Sequence, residues 1–593
     1  MILQSLVNYY EQLLESHPDR VARVGWCSRQ VACIVKLSAE GKLIGIIPTE
    51  EKRGEAKVVP QQEKRSSGVA ANVLCDNATY FFGLDSKGKP ERARQCFDAA
   101  KNRHLAFLEG IDSPNAAAVL SFFREWNPEN AVENPTIALA KDSLLSGGNL
   151  VFQVGNQEVL NDPAIQQAWD RVYRQMDESA AVMTCLVSGK KEPIARLHPS
   201  IKGIMGAQSM GASLVGFNAR AFESYGHDEE QGLNAPVSEY ATFAYTTALN
   251  YLLADRSHHM RLGDTTIVYW AAHNDDACSG LYADFLDPGS HSENDEGPTG
   301  MDGANRLIDS AMKRLAGGQP LEGVDVNAEF FVLGIAPNAA RLSVRFFYHD
   351  AFGAMLDNLR KHYERLDIVH APFEKKYLTP YWLLSETENP NAKQTAASST
   401  LGGALMRSIL GDQPYPASLY EQTILRVQST QDNDDRHTRK VTRGRVAIVK
   451  AYLLKNCNRM EEEITVSLNE ERNDIPYVLG RLFSVLERIQ KAVNPEVNST
   501  IKNKYYDSAS TTPSVIFPII LKLSDKHLAK LEYDKKGSAV YYEKLRGELL
   551  VRIDAFPKRL SLEEQGDFIL GYYHQTQKFY EKNESKTNED QEV

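Results

Sequence analysis

The chain has 593 residues, of which 42% are hydrophobic and 24% charged, with a formal net charge of −11. Length and composition are those of a folded protein with several cores, roughly three or four units at ~150 residues each, and exclude a disordered, collagenous or disulfide-stapled chain. No apolar run reaches the ~20 residues that span a bilayer. The seven cysteines are scattered without a CxxC pair. Cys27 and Cys33 are placed to face one another in a hairpin, yet reduced thiols of a cytoplasmic protein are the expectation. The acidic balance argues against a uniformly basic nucleic-acid binder. Local clusters count for more than the sum, because salt screens charges beyond about 8–10 Å.

The first segment, MILQSLVNYYEQLLES, lacks a basic n-region and a small-residue cleavage site, so it is no signal peptide. It reads as an amphipathic helix with Ile2, Leu6, Tyr9, Leu13 and Leu14 on one side. Val21–Leu37 and Leu43–Ile47, joined by AEGK, predict a β-hairpin. Residues 50–68, polar and punctuated by Gly54, Pro60 and Gly68, read as a loop. Helices are expected over 91–127 and 163–178, and strands over Ala181–Ser188 and Thr265–Ala272. Ala328–Ile335 pairs with Arg341–Tyr348 across an APNAA turn, and Asp287–Gly303 reads as a long acidic loop. From about Ala351 the pattern turns helical, ending in a small bundle over Ile475–Lys582 and a charged, disordered tail. The fold class is α+β multidomain: a mixed α/β N-terminal region with β-hairpins, then an α-helical region ending in a bundle. Three parts are drawn: 1–350, the α/β region; 351–465, a helical linker with a basic stripe; and 466–593, the bundle.

The most informative stretch is Gly203–Asp255, GIMGAQSMGASLVGFNARAFESYGHDEEQGLNAPVSEYATFAYTTALNYLLAD. Glycines at 203, 206, 211 and 216 alternate with Gln208, Ser209, Ser213 and Asn218, and the stretch closes in a helix from Val237 to Leu253. Glycines admit close backbone approach and positive φ, and short amides and hydroxyls bond in many directions. That is a surface suited to reading a ligand rather than cleaving it.

Basic residues gather in three places. Lys52, Arg53, Lys57, Lys64 and Arg65 precede the segment Asn72–Gly83, NVLCDNATYFFG, and Lys87, Lys89, Arg92, Arg94, Lys101 and Arg103 follow it. Residues 436–459, RHTRKVTRGRVAIVKAYLLKNCNR, contain no acid. Arg436, Arg439, Lys440 and Arg443 recur at i, i+3, i+4 and i+7, one basic helical stripe, and like charges at that spacing repel by about 0.2–0.5 kcal/mol per pair. Such a stripe points to a polyanion; the alternatives are a solvated face, or neutralisation by Asp432, Asp434 and Asp435. Phosphate contacts position a nucleic acid, whereas amides and hydroxyls at base edges read it. Asn72, Asn77, Gln208, Ser209 and Asn218 are the candidate readers, against the simpler role of capping turns and helices.

Signals for catalysis fail on detail. Gly83–Pro90, GLDSKGKP, resembles a P-loop, but Pro90 replaces the Mg²⁺-binding hydroxyl and lacks an amide for the phosphate nest. Ala207–Gly211, AQSMG, resembles a nucleophile elbow, yet glycine-rich loop flanks it where a strand and a helix belong. His349–Asp350 and the HNDD run His273–Asp276 are isolated groups, not a converging ligand set. No catalytic residue, metal site or cofactor is expected, with a Ser209 hydrolase and a purely structural scaffold as the alternatives.

The Asn72–Gly83 and Gly203–Asp255 blocks, in this order and in a chain of this length, resemble the signature of the large subunit of the type I-C CRISPR surveillance complex, Cascade. The resemblance covers essentially the whole chain. It implies a non-catalytic DNA-binding subunit that recognises a short protospacer-adjacent motif (PAM) on duplex DNA, helps open the duplex for guide RNA pairing (the R-loop), and docks the helicase–nuclease. Sequence matching is left to the guide, the logic known from another effector. The implied partners are the crRNA and target double-stranded DNA, the Cascade backbone subunits including the one capping the crRNA 5′ handle, a small helical subunit, and the nuclease, with no membrane. Carried over, Asn72, Asn77, Gln208, Ser209 and Asn218 contact bases, and Lys52, Arg53, Lys64 and Arg65 grip the duplex backbone beside the Lys87/Lys89 cluster. Arg436, Arg439, Lys440 and Arg443 meet the displaced strand or heteroduplex. The resemblance also implies that the bundle is made separately from an internal start; Met460 is the last methionine, so an ATG start lies at or before it.

Overall fold

The computed structural model describes residues 1–17, 21–49, 54–63, 68–85, 88–175, 181–217, 219–224, 226–227, 230–273, 276–288, 298–390, 399–495 and 500–589. The chain forms two units, Met1–Ile201 with Ser213–Tyr251, and Lys202–Ala212 with Leu252–Val593.

The first unit begins with α1 (Ile2–Ser16), whose inner face buries Leu6, Val7, Tyr9, Tyr10 and Leu13, as its periodicity requires. β1 (Trp26–Leu37) and β2 (Leu43–Pro48) form the expected hairpin. β2 pairs with the C-terminal half of β1, and β3 (Glu55–Pro60) runs antiparallel to the N-terminal half, from Trp26 opposite Pro60 to Val31 opposite Glu55. The 50–68 stretch is therefore not simply loop: Val58 and Val59 give its polar run a strand's interior contact, and Lys57 pairs with Glu158 at 2.6 Å. β4 (Cys75–Asn77) and α2 (Ala78–Phe82) follow. The helical pattern of 91–127 resolves into α3 (Pro90–Leu108) and α4 (Pro114–Glu125), the second capped by Ser113 with proline in its first turn. Then come α5 (Pro135–Leu139), α6 (Lys141–Leu145), β5 (Asn149–Val154), β6 (Gln157–Glu158) and α7 (Pro163–Gln175). β5 is parallel to β1 and antiparallel to β4, giving a six-stranded mixed sheet. Its core is aromatic, with Phe81 stacked on Phe152 at 4.4 Å. β7 (Val182–Thr184) pairs with β8 (Lys191–Pro193) in a ladder shorter than the strand expected over 181–188. α8 (Glu239–Ala254) is the helix that closes the glycine-rich stretch, and its residues up to Tyr251 belong to this unit.

The second unit opens with β9 (His259–Leu262) and β10 (Thr265–Ala271), then α9 (Asp276–Leu286) and α10 (Pro298–Ala316). Of the acidic loop expected over 287–303, residues 289–297 lie outside the described residues, and from Pro298 the chain is helix; proline suits a first helical turn, and Ile308 and Ala311 are buried further along. β11 (Glu329–Asn338) and β12 (Arg341–Ala351) complete an antiparallel sheet in the order β12-β11-β10-β9. Among the described residues helices follow without further strands: α11 (Phe352–Leu366), α12 (Pro380–Ser385), α13 (Ser399–Leu410), α14 (Ala417–Ser429), α15 (Arg443–Asn456), α16 (Ile475–Val493), α17 (Ile501–Thr511), α18 (Pro513–Asp534), α19 (Lys536–Leu550) and α20 (Leu562–Glu589). The charged tail continues as helix to Glu589, and 590–593 lie outside the described residues. α16 and α20 meet through glycine: a Cβ at Gly480 would lie 2.0 Å from the Phe568 carbonyl oxygen, and one at Gly571 would lie 2.1 Å from that of Tyr477. The two helix backbones touch where any side chain would hold them apart. The mixed α/β N-terminal region and helical C-terminal region follow the pattern read from the sequence.

Candidate nucleic-acid interface

The Asn72–Gly83 segment in the first unit is a knot of local bonds. Leu74 adopts φ 57°, costly for a branched residue, and its N–H donates to His104 Nε2 at 2.9 Å. His104 Nδ1 lies 2.7 Å from the Ala100 carbonyl, so with Nε2 accepting, Nδ1 carries the proton. Burial pushes the His104 pKa down to about 4. The backbone N–H groups of Asn72 and Asn77 each donate to the buried Asp76 carboxylate at 2.9 Å. Asn72 Oδ1 accepts from the Glu63 N–H at 2.9 Å, and Asn77 Oδ1 accepts from the Thr79 N–H at 3.0 Å, capping α2. Both carbonyl oxygens are occupied by the chain itself: Asn77 caps α2, and the buried Asn72 holds the Glu63 backbone.

The glycine-rich loop is different. In the second unit, Lys202–Ala212 makes two successive turns, Ala207 N–H to Ile204 O at 3.2 Å and Gly211 N–H to Gln208 O at 2.8 Å. Gly203, Gly206 and Gly211 all have positive φ. Ile204 and Ala212 are buried anchors, and a Cβ at Gly206 would sit 3.1 Å from Pro337 Cγ. Between the anchors Gln208 and Ser209 face solvent, flanked by Met205 and Met210, exposed by 60% and 79%. The Arg261 guanidinium contacts the Met205 sulfur. Ser209 sits among turns and bends, with neither the strand nor the helix of a nucleophile elbow beside it. Asn218 lies outside the described residues.

Of the expected backbone grips, Lys52, Arg53, Lys64, Arg65 and Lys87 lie outside the described residues. Lys89 is exposed at the start of α3. Farther along α3, Arg94 pairs with Glu129 at 3.2 Å and Arg103 with Glu63 at 2.8 Å. Exposed or half-exposed pairs of this kind contribute about 0–1 kcal/mol.

The 436–443 stripe needs correction. Helix α15 begins only at Arg443, capped by Thr442. Before it the chain turns tightly: the Arg436 N–H donates to Asn433 Oδ1 at 3.0 Å, Asn433 bridges Thr438, and His437 adopts φ 51°. The i, i+3, i+4, i+7 spacing therefore does not make one helical face. Lys440 is fully buried, paired with Asp507 at 2.6 Å and donating to the Gln428 carbonyl at 2.7 Å. The Arg443 guanidinium binds the Lys375 and Lys376 carbonyls. Arg445 meets Glu386 at 3.3 Å, and Lys450 lies 3.4 Å from the carbonyls of Glu364 and Arg365. Burial holds the pKa values of Lys440 and Lys450 below the ordinary lysine value. The missing anions are the chain's own carboxylates and carbonyls. Arg436 and Arg439 alone of the four are exposed, and Arg439 pairs with Asp434 at 2.6 Å.

A basic face that linear reading missed lies on α18. Val515, Ile519, Lys522, Lys526, Lys530 and Tyr533 recur at spacings of three and four and all face solvent. Ile516, Phe517, Ile520, Leu528 and Leu531 are buried. Among the described residues, Lys522, Lys526 and Lys530 make no ion pair, and at four residues apart they rise along the helix by about 6 Å each. Lys535 and Lys536 extend the exposed positive charge. Acids interrupt the linear sequence: Asp525 is turned aside to Arg546 at 2.7 Å, while Glu532 and Asp534 are exposed beyond Lys530. The i, i+4, i+8 lysine period was the available signal.

Among the described residues, no group of three or more His, Cys, Asp or Glu is placed to hold a metal ion, and no helix is long and apolar enough to cross a membrane. The described structure is an α+β protein with an exposed glycine-rich loop and an exposed lysine face. Residues 6–580 match the family model of CRISPR-associated protein Cas_Csd1, and the chain belongs to that family. No curated protein matches it.

Proposed function

We propose that the chain is the non-catalytic, DNA-binding large subunit of a type I-C Cascade acting in the cytoplasm. In this role it recognises the PAM on duplex DNA, assists R-loop formation beside the crRNA 5′ handle and the backbone subunits, and docks the helicase–nuclease. The observation that carries the reading is the α18 face. Three exposed lysines without carboxylate partners, on a chain of net charge −11, are a backbone track for a polyanion. The C-terminal bundle that presents it is the segment that resembles the small helical subunit.

PAM reading is assigned chiefly to Gln208 and Ser209, whose polar groups stand exposed on turns that glycine makes possible. Asn72 and Asn77 are assigned structural roles within the first unit, Asn77 capping α2 and Asn72 holding the Glu63 backbone, and Asn77 stays half-exposed at its cap. Lys89 and the α3 cations supply backbone contacts.

The test is binding of guide-matched duplexes with a randomised flank to the reconstituted complex. Gln208→Ala should relax flank preference by about 1–3 kcal/mol, the usual loss for one base contact. Unchanged preference in both Gln208→Ala and Ser209→Ala removes the glycine-rich loop from PAM reading.

A further inference from the structure

Between α11 and α12, residues 367–379 hold neither helix nor strand, yet the segment is tightly fixed. The Val369 N–H donates to Val466 O at 2.9 Å, and the Val369 carbonyl accepts from the Tyr573 hydroxyl at 2.8 Å. The buried Arg443 guanidinium holds the carbonyls of Lys375 and Lys376. Lys376 Nζ reaches Asp309 at 2.6 Å, and the Tyr377 hydroxyl donates to the same carboxylate. At the apex of this scaffold Phe373 is 90% exposed and makes no ring contact among the described residues. Tyr381, 67% exposed, opens the next helix, and the exposed Lys375 amine lies 6.0 Å from the Trp382 ring centroid.

A single exposed aromatic needs no explanation. Two exposed rings and a lysine without a carboxylate partner among the described residues, all within nine residues, Phe373 and Lys375 on a loop fixed by a buried arginine and Tyr381 in the first turn of the helix that follows it, do. We propose that Phe373, Tyr381 and Lys375 form a stacking platform for unpaired bases of single-stranded nucleic acid, the rings taking base faces and the lysine a phosphate. The proposal rests on the reading of the chain as a nucleic-acid-binding protein. Every base offers a π-face, so aromatic side chains beside cations bind single strands with little sequence preference. A protein-docking anchor fits less well, because lysine is depleted from the centres of protein interfaces.

The test uses the full chain with two probes of equal phosphate number, an oligothymidylate and its abasic counterpart. Phe373→Ala should weaken oligothymidylate binding about tenfold, equivalent to about 1.4 kcal/mol. It should leave abasic binding and the melting temperature unchanged, and Phe373→Trp should restore affinity. A 5-bromouracil strand should cross-link within 370–382. If Phe373→Ala binds both probes as wild type does, or cross-links map elsewhere, the platform is overturned. If the Lys522/Lys526/Lys530→Ala variant alone loses both probes, nucleic-acid binding stands and the platform falls. If wild type binds neither probe, both fall. Loss of a protein partner by Phe373→Ala with oligothymidylate binding intact overturns the platform in favour of docking.

Discussion

Lys440 and Asp507, 67 residues apart in sequence, meet in a 2.6 Å ion pair that ties the turn before α15 to α17. Lys440 is fully buried, whereas the Asp507 side chain keeps 43% of its exposure. The pair explains why an acid-free run can exist in an acidic chain without a bound polyanion: the complementary charge is supplied from a distant helix. Removing one partner of a fully buried pair costs about 3–5 kcal/mol. The solvent beside Asp507 reduces that, so Lys440→Ala should destabilise the chain by about 2 kcal/mol in denaturant titration. It should leave the salt dependence of DNA binding unchanged.

Stability should fall on mild acidification because of His104. Its folded pKa, about 4, lies below the unfolded 6.5, so the unfolded chain binds the extra proton. The contribution is fully present above about pH 6.5 and is lost as pH falls towards 4, amounting to roughly 3 kcal/mol at 1.36 kcal/mol per pH unit. His198, also lowered to about 4 by burial, adds to the same trend. His104→Gln, whose amide oxygen can accept the Leu74 N–H, should flatten part of the slope between pH 6.5 and 4. An unaltered slope contradicts the assignment of a neutral, buried His104.

The α16–α20 contact separates two glycine substitutions that look equivalent in sequence. Gly480→Ala places a methyl 2.0 Å from the Phe568 carbonyl oxygen, so the helices must part. Overpacking of this kind costs about 1–3 kcal/mol, more than the ~1 kcal/mol of helix propensity gained. Gly547→Ala on α19 meets nothing within 4 Å and should stabilise by about 0.5–1 kcal/mol. Thermal melting of the two variants should shift in opposite directions.

Strong periodicities carried most of the fold from sequence: α1, the β1–β2 hairpin, the β11–β12 pair and the helical C-terminal region all follow from spacing and turn residues. β3 did not, because its pairing is set by β1, 24 or more residues away, rather than by its own polar composition. The Gln208–Ser209 loop was legible because glycines at positive φ are a local requirement. The 436–443 stripe misled because charge spacing says nothing about whether the backbone is helical, and Asn433 closes a turn there instead. The α18 face was hidden in the linear sequence because Asp525, three residues from Lys522, interrupts the lysine run, and only the fold draws its carboxylate to Arg546.

The most direct measurement is the salt dependence of target DNA binding by the reconstituted complex, wild type against Lys522→Ala/Lys526→Ala/Lys530→Ala. Each lost single-strand phosphate contact shallows the log affinity against log salt slope by about 0.7. The account predicts a slope shallower by about 2, with flank preference and melting temperature unchanged. An identical slope and affinity in the triple variant would contradict the claim that this face is a nucleic-acid track.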